Sequence, residues 1–218
     1  SMRESSEPLY GPTADALSSC AAQNGIYLIG GSFPEETESG LYNTSMVFDP
    51  SGNHIATHRK AHLFDVDVKD KISYRESDTF LPGNEVCVVD TDFGRIGVGI
   101  CFDIRFPEYF RKLVLSGCEI VFVPSSFGNA TGEAHWVLSM RMRAVDNQCY
   151  MLGIQPAPNP ELPYQAYGHT VATDPWGVVL GELNIAPGIL YAELFASRVQ
   201  QVRDEFPLLK ARRPELYV

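Results

Sequence analysis

The 218-residue sequence contains no apolar run approaching the roughly eighteen residues that carry a helix across a bilayer. A helical membrane span is therefore not expected. The opening SMRESSEPLYGP lacks the apolar centre of a secretory signal, and its leading Ser-Met reads as a tag remnant before an initiator methionine. Basic residues are scarce, 17 Lys and Arg against 27 Asp and Glu, giving a net charge of −10. Such a surface repels a nucleic-acid backbone or an anionic membrane, so neither is an expected partner. There is no C-x-x-C pair, and the five cysteines are odd in number and widely spaced. This argues against a zinc site or a disulfide framework and predicts free thiols in a reducing compartment, the cytoplasm first and mitochondria second. Repeats, low-complexity tracts and linker-like stretches are also missing. With 44% hydrophobic residues the chain can bury a sizeable core, and one domain over 1–218 is the expectation.

What is present reads as alternating helices and strands. Residues 12 to 24 begin with proline, are rich in alanine and stop before Gly25, the pattern of a helix with a glycine stop. IYLIGGSF reads as a buried strand. LYNTSMVFDPSGNHIATHRKAHLF reads as two strands around the turn 49–52, and EVCVVDTDFGRIGVGIC as two more around 92–94. Pro107 and Glu108 suit the first turn of a helix running to Gly117. EIVFVPSSF is a strand and GEAHWVLSMRMRAVDNQ a helix, while the Pro-rich 154–167 is a loop. CYMLGIQ, GHTVATDPWGVVLGEL and GILYAEL supply further strands, and 199–206 a last helix. Together these predict a layered α/β fold with a mixed sheet.

One stretch stands out chemically. GVGICFDIRFPE places Cys101 where an apolar strand stops and a helix is about to begin, the sheet edge where α/β proteins bind ligands. Backbone N–H groups and a helix start supply partial positive charge there, which favours a thiolate that otherwise forms only near ~8.5. Position alone leaves Cys101 equally readable as one more small buried apolar residue. Cys20, Cys87, Cys118 and Cys149 sit inside helix or strand patterns and read as packing. His54, His58 and His62 are four apart but in an extended stretch, where that spacing sets them far apart, so they do not read as a metal face. His135 and His169 are the partners a Cys-His hydrolase would need, without a supporting motif. Lys60, beside His62 and Phe64, is either an oxyanion-stabilising cation or a solvated strand end. Trp136 and Trp176 read as core, Glu35 and Glu36 as exposed turn residues.

RKAHLF, YRESDTFLPGN, GICFDIRFPE, PSSFGNATGEAHW, RMRAVDNQCY and YGHTVATDPWG fall in the order and spacing of the nitrilase superfamily of carbon–nitrogen hydrolases, which the chain resembles over nearly its whole length. IYLIGGSFPEE, KAHLFDVDVKDKISYRES and RAVDNQCY are most similar to its ω-amidase branch. The resemblance implies a four-layer αββα sandwich, a cysteine nucleophile at Cys101, a lysine at Lys60 and a further glutamate at Glu76. The Phe102 N–H joins Lys60 around the oxyanion in the mechanism it implies. Arg105, four residues after Cys101, reads as a carboxylate-binding guanidinium or as one half of an ion pair with Asp103, Glu108 or Asp146, and Phe127 and Thr131, from the loop after the strand neighbouring that of Cys101, read as lining the substrate site. The resemblance also implies no metal or organic cofactor, a small-molecule amide substrate such as 2-oxoglutaramate or 2-oxosuccinamate, and a homodimer, the basic tail KARRPELYV either crossing to the partner subunit or standing as a solvated tail.

The family's remaining glutamate ends a second N-terminal strand that precedes the helix at residue 12, and the sequence shows no such strand. Glu4 and Glu7 fall in the loop after it. The expectation is an N-terminally incomplete hydrolase domain with an exposed sheet edge and no identified general base. Deaminated glutathione as substrate, and a catalytically impaired relative, stay open at this point.

Overall fold

The computed structural model describes residues 3–69 and 72–217. Helix α1 (Pro12–Asn24) begins and ends as the sequence predicts. Pro12 lies in the first turn, where its missing N–H has no intrahelical partner to lose, and the Glu7 carboxylate accepts the Thr13 N–H at 3.0 Å. Gly25 takes the left-handed φ of 61° that ends the helix.

The first sheet is built on a long central strand. β1 (Leu28–Ile29), β2 (Phe33–Thr37), β3 (Gly40–Phe48) and β4 (His54–Arg59) follow in sequence, all antiparallel. β4 lies along one edge of β3, while β1 and β2 share the other. The stretch 26–33, expected as one strand, is thus split at Gly30 and Gly31. β5 (Asp65–Val68) and β6 (Ile72–Arg75) form a hairpin the sequence did not announce. β2 was also unforeseen, and it overturns the reading of Glu35 as an exposed turn residue. Glu35 is 1% exposed and accepts Arg59 through both oxygens and Thr44 Oγ1 at 2.7 Å. A buried carboxylate needs such partners.

The second sheet contains β7 (Cys87–Thr91), β8 (Gly94–Val98), β9 (Ile120–Pro124), β10 (Tyr150–Ile154), β11 (Val171–Thr173) and β12 (Val179–Glu182), in the order β12-β11-β10-β9-β8-β7. β8, β9 and β10 run parallel, so helices must return the chain between them. These are α2 (Pro107–Leu115) and α3 (Asn129–Asn147), and α4 (Ala196–Glu205) closes the order. The Pro-rich 155–170 carries neither helix nor strand.

Period-two alternation sorts the layers. Ile96 and Val98 of β8, Ile120 of β9 and Tyr150 of β10 face Val47 and Ala56 of the first sheet. Their neighbours Val121, Val123 and Met151 face Phe110, Leu113, Trp136 and Met140 of α2 and α3. Ala14 and Ala21 of α1 close over Met46 and Phe48 on the outer side of the first sheet. The order α1, sheet, sheet, α2 with α3 is the αββα sandwich. Burial of each such Val, Ile or Leu is worth about 1.5–3 kcal/mol, whereas an exposed pair such as Arg95 with Asp90 is screened by solvent, so the apolar layers hold the fold.

Two expectations fail. GILYAEL forms no strand: Leu190, Ala192 and Leu194 line a groove of about 230 Å³ with Phe122 and Leu152, and Ile189 and Tyr191 are exposed. The alternation is present, but among the described residues no strand pairs with it. Trp176 is 52% exposed, its ring set edge-on to Phe206, whereas Trp136 is fully buried with its Nε1 bonded to His169 O.

Gly153 shows how tight the helix-to-sheet layer is. A Cβ there would stand 2.4 Å from Trp136 and 2.9 Å from Met140. Gly153→Ala is expected to lower the melting temperature by roughly 2–10 °C, since overpacking costs about 1–3 kcal/mol. Gly188→Ala, whose Cβ meets nothing nearer than 3.6 Å, should melt like the unsubstituted protein, and equal melts for the two variants would contradict this packing.

Candidate functional site

Two residues beyond β8 the chain turns into a single 3-10 turn, Cys101–Arg105. Cys101 opens it with φ 47°, a left-handed conformation that a side chain adopts at a cost of about 1–3 kcal/mol unless surroundings impose it. Here they do: Asp103 Oδ2 accepts the Ile100 N–H at 2.8 Å while the Asp103 N–H bonds back to Ile100 O. The turn leaves the thiol half-buried at the sheet's C-terminal edge, where the sequence places it.

Lys60 comes from the other sheet, just past β4. Its backbone is fixed on both sides, N–H to Asn43 O and C=O to the Gly83 N–H, each at 2.8 Å. Gly83 of the FLPGN stretch is needed here, because a Cβ would stand 2.1 Å from Arg59 O. The Lys60 ammonium is 2.5 Å from Glu76 Oε2, with both residues no more than 5% exposed. Glu76, at the end of β6, also accepts the Phe64 N–H at 2.6 Å and Asn43 Nδ2 at 3.3 Å. Removing either member of such a pair leaves an uncompensated buried charge, at about 3–5 kcal/mol. Lys60 is therefore no solvated strand end.

Several groups act on the Cys101 thiol. Burial pushes its pKa up most strongly, and the Glu76 and Asp103 charges add to this; the Lys60 ammonium and the Ser126 backbone N–H pull it down. The balance lies above the ordinary thiol, so Cys101 rests protonated. The Ser126 amide is a donor the sequence reading missed, and nothing in PSSF marks it. Cys87, Cys118 and Cys149 are inert by comparison, each pushed to about 12 by burial. Cys20 is exposed on α1 rather than packed.

The remaining predicted residues divide. Phe102 meets Phe64 at 5.0 Å, and Arg105 lies 5.7 Å from the Phe102 ring and 5.3 Å from that of Phe127. Among the described residues Arg105 has no carboxylate partner. Asp103 is bound elsewhere and Asp146 pairs with Arg143, so the structural ion pair drops out. The Arg105 guanidinium bonds only His135 Nδ1, at 3.3 Å. Phe127 is buried and held through its N–H on Gln155 Oε1. Thr131 stands in the first turn of α3 with its N–H on Gly128 O. His169 pairs with Glu182, so neither candidate histidine serves Cys101.

Behind Cys101 lies a cluster that sequence spacing hid. His58 Nε2 and His62 Nδ1 both bond the Asp103 carboxylate, at 3.0 and 2.7 Å. The extended reading set the histidines apart, but the chain bends at 61–62 and swings His62 back. Burial opposes the charge of Asp103, yet the bonds from His58, His62 and Ile100 outweigh it and hold the carboxyl at about 2. A carboxyl lowered from 3.8 to about 2 adds stability that is complete above pH 4 and lost as pH falls through 2, about 2 kcal/mol in all. The stability gap between the unsubstituted protein and Asp103→Asn should narrow by about that amount between pH 6 and pH 2. A gap that ignores pH in denaturant titrations would refute the assignment.

Comparison with known proteins agrees with this geometry. The carbon–nitrogen hydrolase family model matches residues 1–204. The chain is 42% identical to mouse omega-amidase NIT2 over 97% of its own length and 76% of the relative's, and 41% identical to the human protein over 98% and 78%. The crystal structure of Saccharomyces cerevisiae Nit3, a member of branch 10 of the nitrilase superfamily, superposes with a TM-score of 0.86 at 39% identity, covering 96% of this chain and 75% of that one. The fold is shared with these proteins, and the chain is a member of the carbon–nitrogen hydrolases.

Proposed function

We propose that this chain, as one carbon–nitrogen hydrolase domain, hydrolyses the ω-amide of a short α-keto acid such as 2-oxoglutaramate. The observation that carries the reading is Arg105. It is a half-buried cation near Cys101, without an acidic partner among the described residues and flanked by Phe102 and Phe127. A cation so placed is completed by an anion, and a substrate carboxylate fits its planar fork. The likeness to omega-amidases over 97–98% of the chain supports the same substrate class.

In the proposed reaction Cys101 Sγ attacks the amide carbon, and the carbonyl electrons move to an oxyanion received by Lys60 and the Phe102 N–H. The proton that Cys101 gives up goes to the amide nitrogen, the C–N bond breaks and ammonia leaves; water then cleaves the thioester, its oxygen entering the carboxyl group of the dicarboxylate and a proton returning to Sγ. Glu76 serves this sequence by holding Lys60, so it is read as a positioning residue. The proton shuttle falls to a further glutamate in the family resemblance. Among the described residues Glu76 and Asp103 are committed to Lys60 and the histidines, and Glu7 to the start of α1.

Free thiols support a reducing compartment, the cytoplasm by preference. A second copy of the chain is the proposed partner, meeting the exposed Leu138, Met142 and Val145 of α3 beside Trp176 and Phe206.

Ammonia release from 2-oxoglutaramate is expected, abolished by Cys101→Ala and lowered about 10²–10³-fold by Lys60→Met. Arg105→Ala should raise KM for the keto acid about 10–100-fold while sparing a neutral aliphatic amide. No release, or faster turnover of deaminated glutathione, would overturn the substrate assignment. Light scattering should give twice the chain mass, falling to one chain mass in Leu138→Arg; a monomeric parent would rule out the dimer.

A further inference from the structure

We propose that Asp103, His58 and His62 form a positioning clamp that fixes the separation of Lys60 from Cys101. The sequence brackets both ends: the histidines stand two residues before and two after Lys60, and Asp103 stands two after Cys101. A single carboxylate, fully buried, joins these brackets. Its Oδ1 accepts the His62 backbone N–H at 2.9 Å and His62 Nδ1 at 2.7 Å. Its Oδ2 accepts the Ile100 N–H at 2.8 Å and His58 Nε2 at 3.0 Å. Each oxygen thus takes one backbone and one imidazole donor, tying the lysine segment of one sheet to the cysteine turn of the other.

The clamp is itself braced. His62 lies stacked on Phe106 with ring centroids 3.7 Å apart. Tyr109, whose hydroxyl donates to Val98 O at 2.7 Å, packs against His58. None of the three clamp residues carries the chemistry assigned to Lys60 and Cys101; they act by holding those two in register. Asn at 103 keeps the shape but turns one oxygen into a donor, which would face two other donors, the Ile100 N–H and His58 Nε2, and open that half.

The test reads the Cys101 thiol directly, so it stands or falls separately from the substrate assignment. Iodoacetamide alkylation of Cys101 is followed by peptide mass spectrometry across pH, with Lys60, Glu76, Asp103, Arg105 and Tyr164 as the charged or titratable groups near the thiol, His58 and His62 behind Asp103, and His135 on Arg105. The Asp103 charge by itself pushes the thiol up, so a purely electrostatic role predicts a lower alkylation midpoint in Asp103→Asn. The clamp predicts the opposite, a midpoint raised by about one pH unit as Lys60 withdraws. On a Lys60→Met background Asp103→Asn should then add no upward shift. His62→Asn, whose amide donor can take the place of Nδ1, should keep the original midpoint, and His62→Ala should raise it. A fall in Asp103→Asn, an upward shift that survives in Lys60→Met, or identical midpoints for the two His62 variants would overturn the clamp. Should Asp103→Asn fail to fold, the His62 pair decides alone.

Discussion

The buried ion pair between Lys60 and Glu76 is the constraint around which the site is arranged. Two desolvated charges 2.5 Å apart are tolerable only because Glu76 has further donors, the Phe64 N–H and Asn43 Nδ2, and because the Lys60 backbone is bonded at both its N–H and its C=O. The ammonium is thereby kept as a hydrogen-bond donor at a fixed point. A flexible lysine could collapse onto any nearby carboxylate; this one is already engaged and can still face Cys101. The charge it would receive from a substrate oxyanion is transient, which suits a donor held in advance rather than recruited.

That arrangement depends on two sheets meeting at one edge. Lys60, His58 and His62 come from the end of β4, Cys101 and Asp103 from the end of β8, and Ser126 and Phe127 from the end of β9. Glu76 arrives from the β5–β6 hairpin, which hydrogen-bonds across at Phe64 and Ser77 and so stands as a buttress. The relative placement of the sheets is set by Val47 against Ile96 and Val98, far more apolar surface than any polar contact in the site supplies. A shift of one residue in either sheet would send every second side chain to the wrong face and separate the lysine from the thiol.

Much of this was legible in the sequence where local chemistry and periodicity agree. The helix from Pro12 to Gly25, the hairpins around 49–52 and 92–94, and the strand that delivers Cys101 are all local patterns, and the order of motifs carried the fold class and the Lys60, Glu76 and Cys101 set. What failed needed distant partners. GILYAEL has strand alternation but no ladder, and Glu35 looks exposed until Arg59 and Thr44 arrive from other strands. The convergence of His58 and His62 on Asp103 depends on a bend at 61–62 that no glycine or proline announces.

The same accounting bears on how a chain of net charge −10 can be suited to an anionic substrate. At physiological ionic strength the surface charges act over about 8 Å, so their repulsion fades within a few ångströms of solvent. Among the buried groups around Cys101 screening is weak and local charges decide. There the Lys60 charge is matched by Glu76, and Asp103 is enclosed by donors from His58, His62 and Ile100, which leaves Arg105 as the cation among these groups with no acidic partner. Desolvation already disfavours that charge, so closing a carboxylate onto it relieves a cost. On the proposed function, selectivity for an acidic amide rests on Arg105 rather than on the protein's overall field, and it is compatible with a surface that repels polyanions.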